Sequence, residues 1–394
     1  MISVFAGMLS FDSKNFSKGK KMMKNYVKAM ALSGLFCGMV CGLGTRGGEK
    51  DLDAAVMPGA DLVTKFEVKK LLATPFYKEV KDEAKEVEMV RVLNLLGLTV
   101  EDLGTGVLAL DFDVPVKQGT DDPSATFAVD SAKPWDLQKI TAMVILDQGK
   151  KKRQVETSTV TLAGKAVTKF KTSPEAAPAG QPAPVGKVEE FFMASAGSVL
   201  LVANTEKGME GALTRQASGV MAPMDPKLVA FCAAMPEAQV RGGIVLPEKL
   251  KAKIKGDGKP VQPGPMAPVQ ESFRNLQQIG WTIACDKDAA IQLKMGLDTK
   301  ENVDKGVQAT LGMIGMIRGM MAMQQGQPQA NPQMEMMTEL LQGLKIAGKD
   351  QDVVVDLVVS SALCKKAQAA NQAGQGRQAR RPAGGRVIAQ PQDE

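Results

Sequence analysis

The chain of 394 residues contains no histidine, and aromatic side chains make up only 4% of it. The first absence excludes a Ser-His-Asp triad, a Cys-His dyad and any histidine-ligated zinc or iron centre. Cysteine is sparse as well. Cys37 and Cys41 fall in an apolar run near the start, which leaves Cys232, Cys285 and Cys364 at wide spacings and with no CxxC pair. A structural zinc site or a thioredoxin-like site is therefore not expected, and no disulfide framework is legible. One disulfide with one thiol left over is compatible with an oxidising compartment. No GxSxG elbow occurs, because Gly197-Ser198-Val199 lacks its partners. Gly180…Gly186-Lys187 is one residue too long for a phosphate loop and has Val188 where Ser or Thr is required, so it reads as linker.

What is present begins with an export signal. Lys24 and Lys28 make a positive start, Ala29–Leu43 is an uncharged apolar run, and Gly42-x-Gly44 supplies small residues for cleavage before Thr45. The run is short for a membrane span, which needs roughly 20 apolar residues. Met23-Lys24 would itself open a normal signal, and residues 1–22, which hold the one SxxK (Ser17-x-x-Lys20), are read as an extension ahead of it. Neither Phe36 nor Val40 is the small residue that lipidation of Cys37 or Cys41 calls for. The expected location is extracytoplasmic: periplasmic, envelope-associated or secreted. The net charge of +6 is unevenly spread, with +5 in residues 1–44 and +4 in 365–394, so the body between them is mildly acidic at −3. That is not the footprint of a nucleic-acid binder.

Self-similarity organises the body. Met57-Pro58-Gly59-Ala60-Asp61-Leu62-Val63 is echoed by Met235-Pro236-Glu237-Ala238-Gln239-Val240, each followed by an alternating run and a Lys/Leu-rich helix start. Leu137–Asp147 (LQKITAMVILD) matches Leu276–Asp286 (LQQIGWTIACD), and Asn204-Thr205-Glu206-Lys207 matches Asp298-Thr299-Lys300-Glu301. Three matches in one order predict two copies of one unit, 52–218 and 228–363. In the first copy, a strand at Asp61–Val68 leads to a broken helix over Lys69–Leu96. Strands are expected at Val107–Phe112, Ile140–Leu146, Ser158–Leu162, Val188–Ala194 and Val199–Ala203, then a helix capped by Asn204 or Thr205. In the second copy, strands are expected at Val240–Leu246, Gly280–Cys285 and Ala290–Leu297, then a helix capped by Asp298 or Thr299 that runs past Met316. Ile346–Ala347 and Val353–Val359 close the unit around a tight turn. The expected fold class is α+β: two tandem related domains, each an antiparallel sheet packed by helices, followed by a disordered basic tail at 368–394. Lys117–Pro134, Thr172–Lys187 and Gly256–Val269 read as polar or Pro/Gly-rich surface loops.

Two residue classes remain as candidate chemistry. Asp111/Asp113, Asp121-Asp122, Asp286/Asp288 and Asp350/Asp352 could bind calcium or do acid–base work. None has EF-hand order, however, and Asx residues at turns have local reasons to be there. Methionine is concentrated between Met313 and Met337. Met313, Met316 and Met320 are spaced to share a helix face, which makes them candidate Cu(I) ligands, since thioethers select that ion. A greasy core helix, or an adaptable surface for a protein partner, explains the same run with fewer assumptions. Arg318 and the shortness of the run argue against a membrane span at Gly315-x-x-x-Gly319. No cofactor and no catalytic residue are expected. Arg377–Arg386 is basic and could touch an anionic surface.

The Met-Pro turn that opens strand and helix, the duplicated halves and the signal resemble secreted bacterial proteins of the domain-of-unknown-function type. The resemblance implies an extracytoplasmic protein with two related domains and carries over no site residue. Taken together, the sequence leads to the expectation of a non-enzymatic exported protein with a binding or structural role. A carrier of an apolar ligand is the alternative, and a carboxylate-dependent enzyme stands behind both.

Overall fold

The computed structural model describes residues 60–81, 83–115, 123–150, 153–174, 188–218, 226–254, 273–325 and 338–367, with isolated positions 267, 271 and 369. The region expected to hold an export signal, most of the loops expected at 172–187 and 256–269, and the tail from 368 onward lie outside these residues, apart from position 369.

Twelve strands form one antiparallel sheet. They are β1 (Leu62–Glu67), β2 (Leu103–Pro115), β3 (Pro123–Ser131), β4 (Arg153–Leu162), β5 (Lys165–Pro174), β6 (Glu189–Ala196), β7 (Val199–Ala203), β8 (Val240–Val245), β9 (Leu276–Cys285), β10 (Ala289–Leu297), β11 (Lys345–Lys349) and β12 (Asp352–Val359). Their order across the sheet is β11-β12-β10-β9-β8-β1-β2-β3-β7-β6-β5-β4. Around them lie α1 (Val68–Ala73), α2 (Pro75–Val80), α3 (Glu83–Leu96), α4 (Leu137–Lys150), α5 (Glu206–Ser218), α6 (Pro226–Ala233), α7 (Glu248–Ile254) and α8 (Lys300–Gln325). Short helices occupy 338–342 and 361–367. The fold is α+β, with helices on both faces of the sheet.

The order contains a recurrence. From the central β1–β8 pair outward, one side runs β1-β2-β3-β7-β6 and the other β8-β9-β10-β12-β11, with the β4–β5 hairpin added only to the first. The central pair is antiparallel, with Thr64 opposite Gly242 and Leu62 opposite Ile244, so the two five-strand sets face each other about that seam. The sheet is continuous across it.

Side-chain alternation assigns the layers. On one face, Val63, Val107, Ala109, Ala128, Leu201, Ala203, Phe192 and Val167 pack beneath Met209, Ala212 and Leu213 of α5, with Leu228 of α6 in the same cluster. On the other, Phe127, Val129, Leu200, Met193 and Phe170 pack beneath Met89, Val92, Leu93 and Leu96 of α3 and Ile140 of α4. That second face continues across the seam as Leu62, Ile244, Met295, Val353 and Val355 beneath α8 and the 273–275 turn.

Two expectations are corrected here. Ile140–Leu146 is not a strand but the middle of α4. Leu137, Ile140, Met143 and Val144 recur at helical spacing towards the sheet, and the Asp136 carboxylate accepts from the Lys139 N–H at 3.0 Å to cap the first turn. Tertiary packing overrides the β-preference of Val144 and Ile145. The loop expected at Lys117–Pro134 contains β3, which sits between β2 and β7 in the middle of the first half. Its Ser124, Ala125, Thr126 and Ala128 look like loop residues by composition. Ser124, Thr126 and Ala128 are small because α5 packs directly above that face of β3: the Ser124 and Thr205 hydroxyls lie 2.6 Å apart, and the Gly208 N–H donates to Thr205 Oγ1, while Ala125 faces the opposite layer.

The two sheet edges differ. β11 is five residues long and carries Lys345 and Lys349, a charge-blunted edge. β4 pairs with β5 over ten registers through a tight turn at Ala163-Gly164, both with positive φ (47° and 72°).

Candidate functional site

The sequence places its strongest anomaly on α8, and the structure gives that helix two unlike faces. Thr299 Oγ1 accepts from the Asn302 N–H and opens the helix. Its first turns are charged, with Lys305 paired to Glu301 at 2.6 Å and Lys300 to Asp304 at 3.8 Å. Beyond Lys305 the only ionisable side chain is Arg318, whose guanidinium donates to the Leu341 carbonyl at 2.5 Å. The remaining 20 residues are otherwise uncharged.

Val303, Gly306, Thr310 and Ile314 form the buried stripe, with Met313 and Ile317 packed beside it. Thr310 returns its hydroxyl proton to the Gly306 carbonyl at 2.7 Å, so the stripe buries no open hydroxyl. On the opposite side, Gly312, Met316, Gly319 and Met323 follow at steps of four, three and four residues, with Leu311 and Gly315 adjoining. Leu311 is 45% exposed, Met316 37% and Met323 78%. A Cβ added at Gly312, Gly315 or Gly319 would meet nothing within 4 Å. Each of these mid-helix glycines costs about 1 kcal/mol relative to alanine, and no packing among the described residues gives that cost a reason. No helix among the described residues is long and apolar enough to cross a membrane.

The Cu(I) candidates separate: Met313 turns to the sheet core, Met316 turns outward, and the side chain of Met320 lies outside the described residues. The carboxylates are dispersed. Asp111 is buried on β2, Asp286 and Asp288 share the β9–β10 turn, Asp350 has a positive φ in the β11–β12 turn, and Asp352 pairs with Lys294 at 3.0 Å. The side chain of Asp113 and residues Asp121 and Asp122 lie outside the described set. Among the described residues no three His, Cys, Asp or Glu side chains converge as a metal cage.

A second locus went unread in the sequence. At the far end of β9, the Gln239 side chain clamps Cys285, accepting from its N–H at 2.8 Å and donating to its carbonyl at 3.1 Å. Phe76 of α2 donates its N–H to the Asp286 carbonyl. Cys364, on the 361–367 helix, packs in the same small cluster as Cys285, with Ala289, Val359 and Leu363. Burial pushes the Cys285 thiol up, and the nearby Cys364 adds to the shift; burial also raises Cys364. The only advance signal was that Cys285 ends an expected strand, with Cys364 five residues beyond the end of another.

The same helix is tethered to α2 by Glu79. The Ser361 hydroxyl first, then the Lys365 ammonium at 3.4 Å, hold the Glu79 carboxyl below the ordinary glutamate value. A depressed folded value means the tether is fully present above the unfolded pKa and is lost as pH falls through the folded one. The protection of the 361–367 amides, taken relative to their intrinsic exchange at each pH, should therefore fall on acidification below about pH 4, and Glu79→Gln should remove that fall. An unchanged profile in the variant would assign the effect elsewhere. The pair is solvent-exposed, so salt should weaken the dependence.

No protein-family model matches the chain, and no curated protein matches it. Among solved structures, crystal form I of TP0453 is similar over 82% of this chain and 98% of that one, at 11% identity and a TM-score of 0.36. A likeness at that level carries no functional argument.

Proposed function

We propose that this chain is an exported, non-enzymatic binding protein of the cell envelope, and that the outer stripe of α8 is its contact for an apolar helix of a partner protein. The observation that carries the reading is the set of three helix glycines with open space above them, flanked by exposed Leu311, Met316 and Met323. Glycines let a second helix approach closely, and methionines adapt to its side chains. The hydrogen bond from Arg318 to the Leu341 carbonyl holds the one charged side chain of this stretch towards the 338–342 helix. Export rests on the Met23–Gly44 signal. The recurrent strand order on either side of the β1–β8 seam supports descent from a duplicated unit, with the β4–β5 hairpin as a later insertion.

The test separates stability from binding. Gly312→Ala, Gly315→Ala and Gly319→Ala should each stabilise the isolated chain by about 0.5–1 kcal/mol, because nothing crowds the new methyl. In native mass spectrometry of the chain gently extracted from the envelope of its own host, wild type should carry a protein partner. The glycine variants should lose that partner. Retention of the partner by all three variants would remove the stripe from the interface. A small-molecule mass on a monomer would replace the reading with a carrier, and a bare monomer would leave no partner to explain.

A further inference from the structure

We infer that Cys285 and Cys364 are a disulfide-forming pair that staples the 361–367 helix to the sheet. This goes beyond the proposed partner contact and does not depend on it. Three residues stand in rank across neighbouring strands: Cys285 on β9 is opposite Ala289 on β10, and Ala289 is opposite Val359 on β12. Side chains at paired positions project to one face, with strands about 4.8 Å apart. One residue beyond Val359 the chain turns. Ser360 Oγ accepts from the Leu363 N–H at 3.2 Å, the Cys364 N–H donates to the Ser360 carbonyl, and the helix folds back over the rank. That return puts Leu363 and Cys364 against Cys285, Ala289 and Val359 in one cluster. Ala289, the middle member, carries only a methyl group and leaves lateral room above it.

Both partners are held for the reaction. The double hydrogen bond from Gln239 fixes the Cys285 backbone, and the Glu79 contacts with Ser361 and Lys365 fix the helix. The oxidant class is a small disulfide such as oxidised glutathione. The Cys364 thiolate, the more exposed of the two, attacks one sulfur of that disulfide and expels a thiolate, leaving a mixed disulfide on Cys364. The Cys285 thiolate then attacks the Cys364 sulfur and expels the second thiolate. Two cysteine sulfurs are oxidised, one small disulfide is reduced to two thiols, and the two protons lost by the cysteines end on the leaving thiolates.

The experiment incubates the purified full chain with oxidised glutathione and maps the non-reduced peptides by mass spectrometry. The expected product links the Cys285 and Cys364 peptides with the loss of two hydrogens. It should still form in Cys232→Ala and fail in both Cys285→Ala and Cys364→Ala. Amide exchange across 361–367 should slow by about tenfold or more on closure. Two results would overturn the inference: a linkage that uses Cys232, or stable glutathione on Cys364 without ring closure. The mapping is done on the wild-type chain, so it does not rely on any variant folding. Its outcome is independent of whether α8 binds a partner.

Discussion

Gly280→Val is expected to destabilise the protein by about 3 kcal/mol or more, with loss of the α6 docking as the visible consequence. Gly280 lies on β9, on the face that α6 covers. A Cβ built there would stand 2.5 Å from Cε1 of Phe231, 2.7 Å from Sδ of Met235 and 3.0 Å from Cζ of Phe231. The methionine tip can swing aside, but the Phe231 ring is buried against the sheet, where the ammonium of Lys294, the residue paired with Gly280 on β10, sits 5.1 Å from the ring centroid. The variant must therefore either lift α6 or drive Phe231 from its rotamer. Gly280→Ala carries the same first clash without the two extra methyls and should cost about 1–2 kcal/mol. Chemical denaturation of the two variants, with the Gly312→Ala chain as a control of opposite sign, checks the ordering. Equal stabilities of Gly280→Val and wild type would mean that α6 does not pack on β9 as described.

The close approach at Gly280 could not be read in advance, although most of the elements around it could. Val199–Ala203 coincides with β7, and Val353–Val359 and Ala290–Leu297 match β12 and β10 to within one residue at each end. These segments are apolar runs bounded by turn residues, and their period is unambiguous. Ile140–Leu146 failed because a short run of Thr, Ala, Met, Val, Ile and Leu satisfies either period, and only the layer beneath decides. β3 failed for the reverse reason: the small, polar-looking residues that a helix N-terminus requires above a strand imitate a loop.

The sequence repeats divide in the same way. The Met-Pro-led match falls on β1 and β8, which occupy equivalent places in the recurrent strand order. By contrast, Leu137–Asp147 is helical where Leu276–Cys285 is a strand, and Asn204–Lys207 opens α5 after β7 whereas Asp298–Glu301 opens α8 after β10. Those two likenesses are local composition. For the candidate site, the methionine concentration was legible but its sidedness was not, because α8 is apolar on both faces beyond Lys305. The nearness of Cys285 and Cys364 depends on β9, β10 and β12 being neighbours, and no local pattern encodes that.

Phe170→Ala should cost about 3–5 kcal/mol, a large share of the 5–15 kcal/mol that holds an ordinary domain together. Phe170 has no exposure to solvent. Its ring lies 4.5 Å from that of Phe191 at an interplanar angle of 4°, directly opposite it on β6. Its other strand neighbour, Thr157 on β4, is small and exposed, so no side chain there can collapse into the space left by the ring. Cavity formation is then nearly complete, which places the cost towards the upper end of the range. Phe191→Ala should cost less, because Phe191 is only partly buried and solvent can fill its place. The double variant isolates the stacking itself, expected at about 0.5–1.5 kcal/mol. The difference between the two single variants also bears on architecture. Among the described residues β4 and β5 are the two strands outside the recurrent five-strand set, and their hydrogen-bonded connection to it runs through β6. If they are held mainly by Phe170 beneath α4, Phe170→Ala should expose the β4–β5 hairpin to proteolysis while the β1–β8 seam keeps its hydrogen-exchange protection. Uniform loss of protection across all twelve strands would mean instead that the hairpin folds and unfolds with the whole sheet.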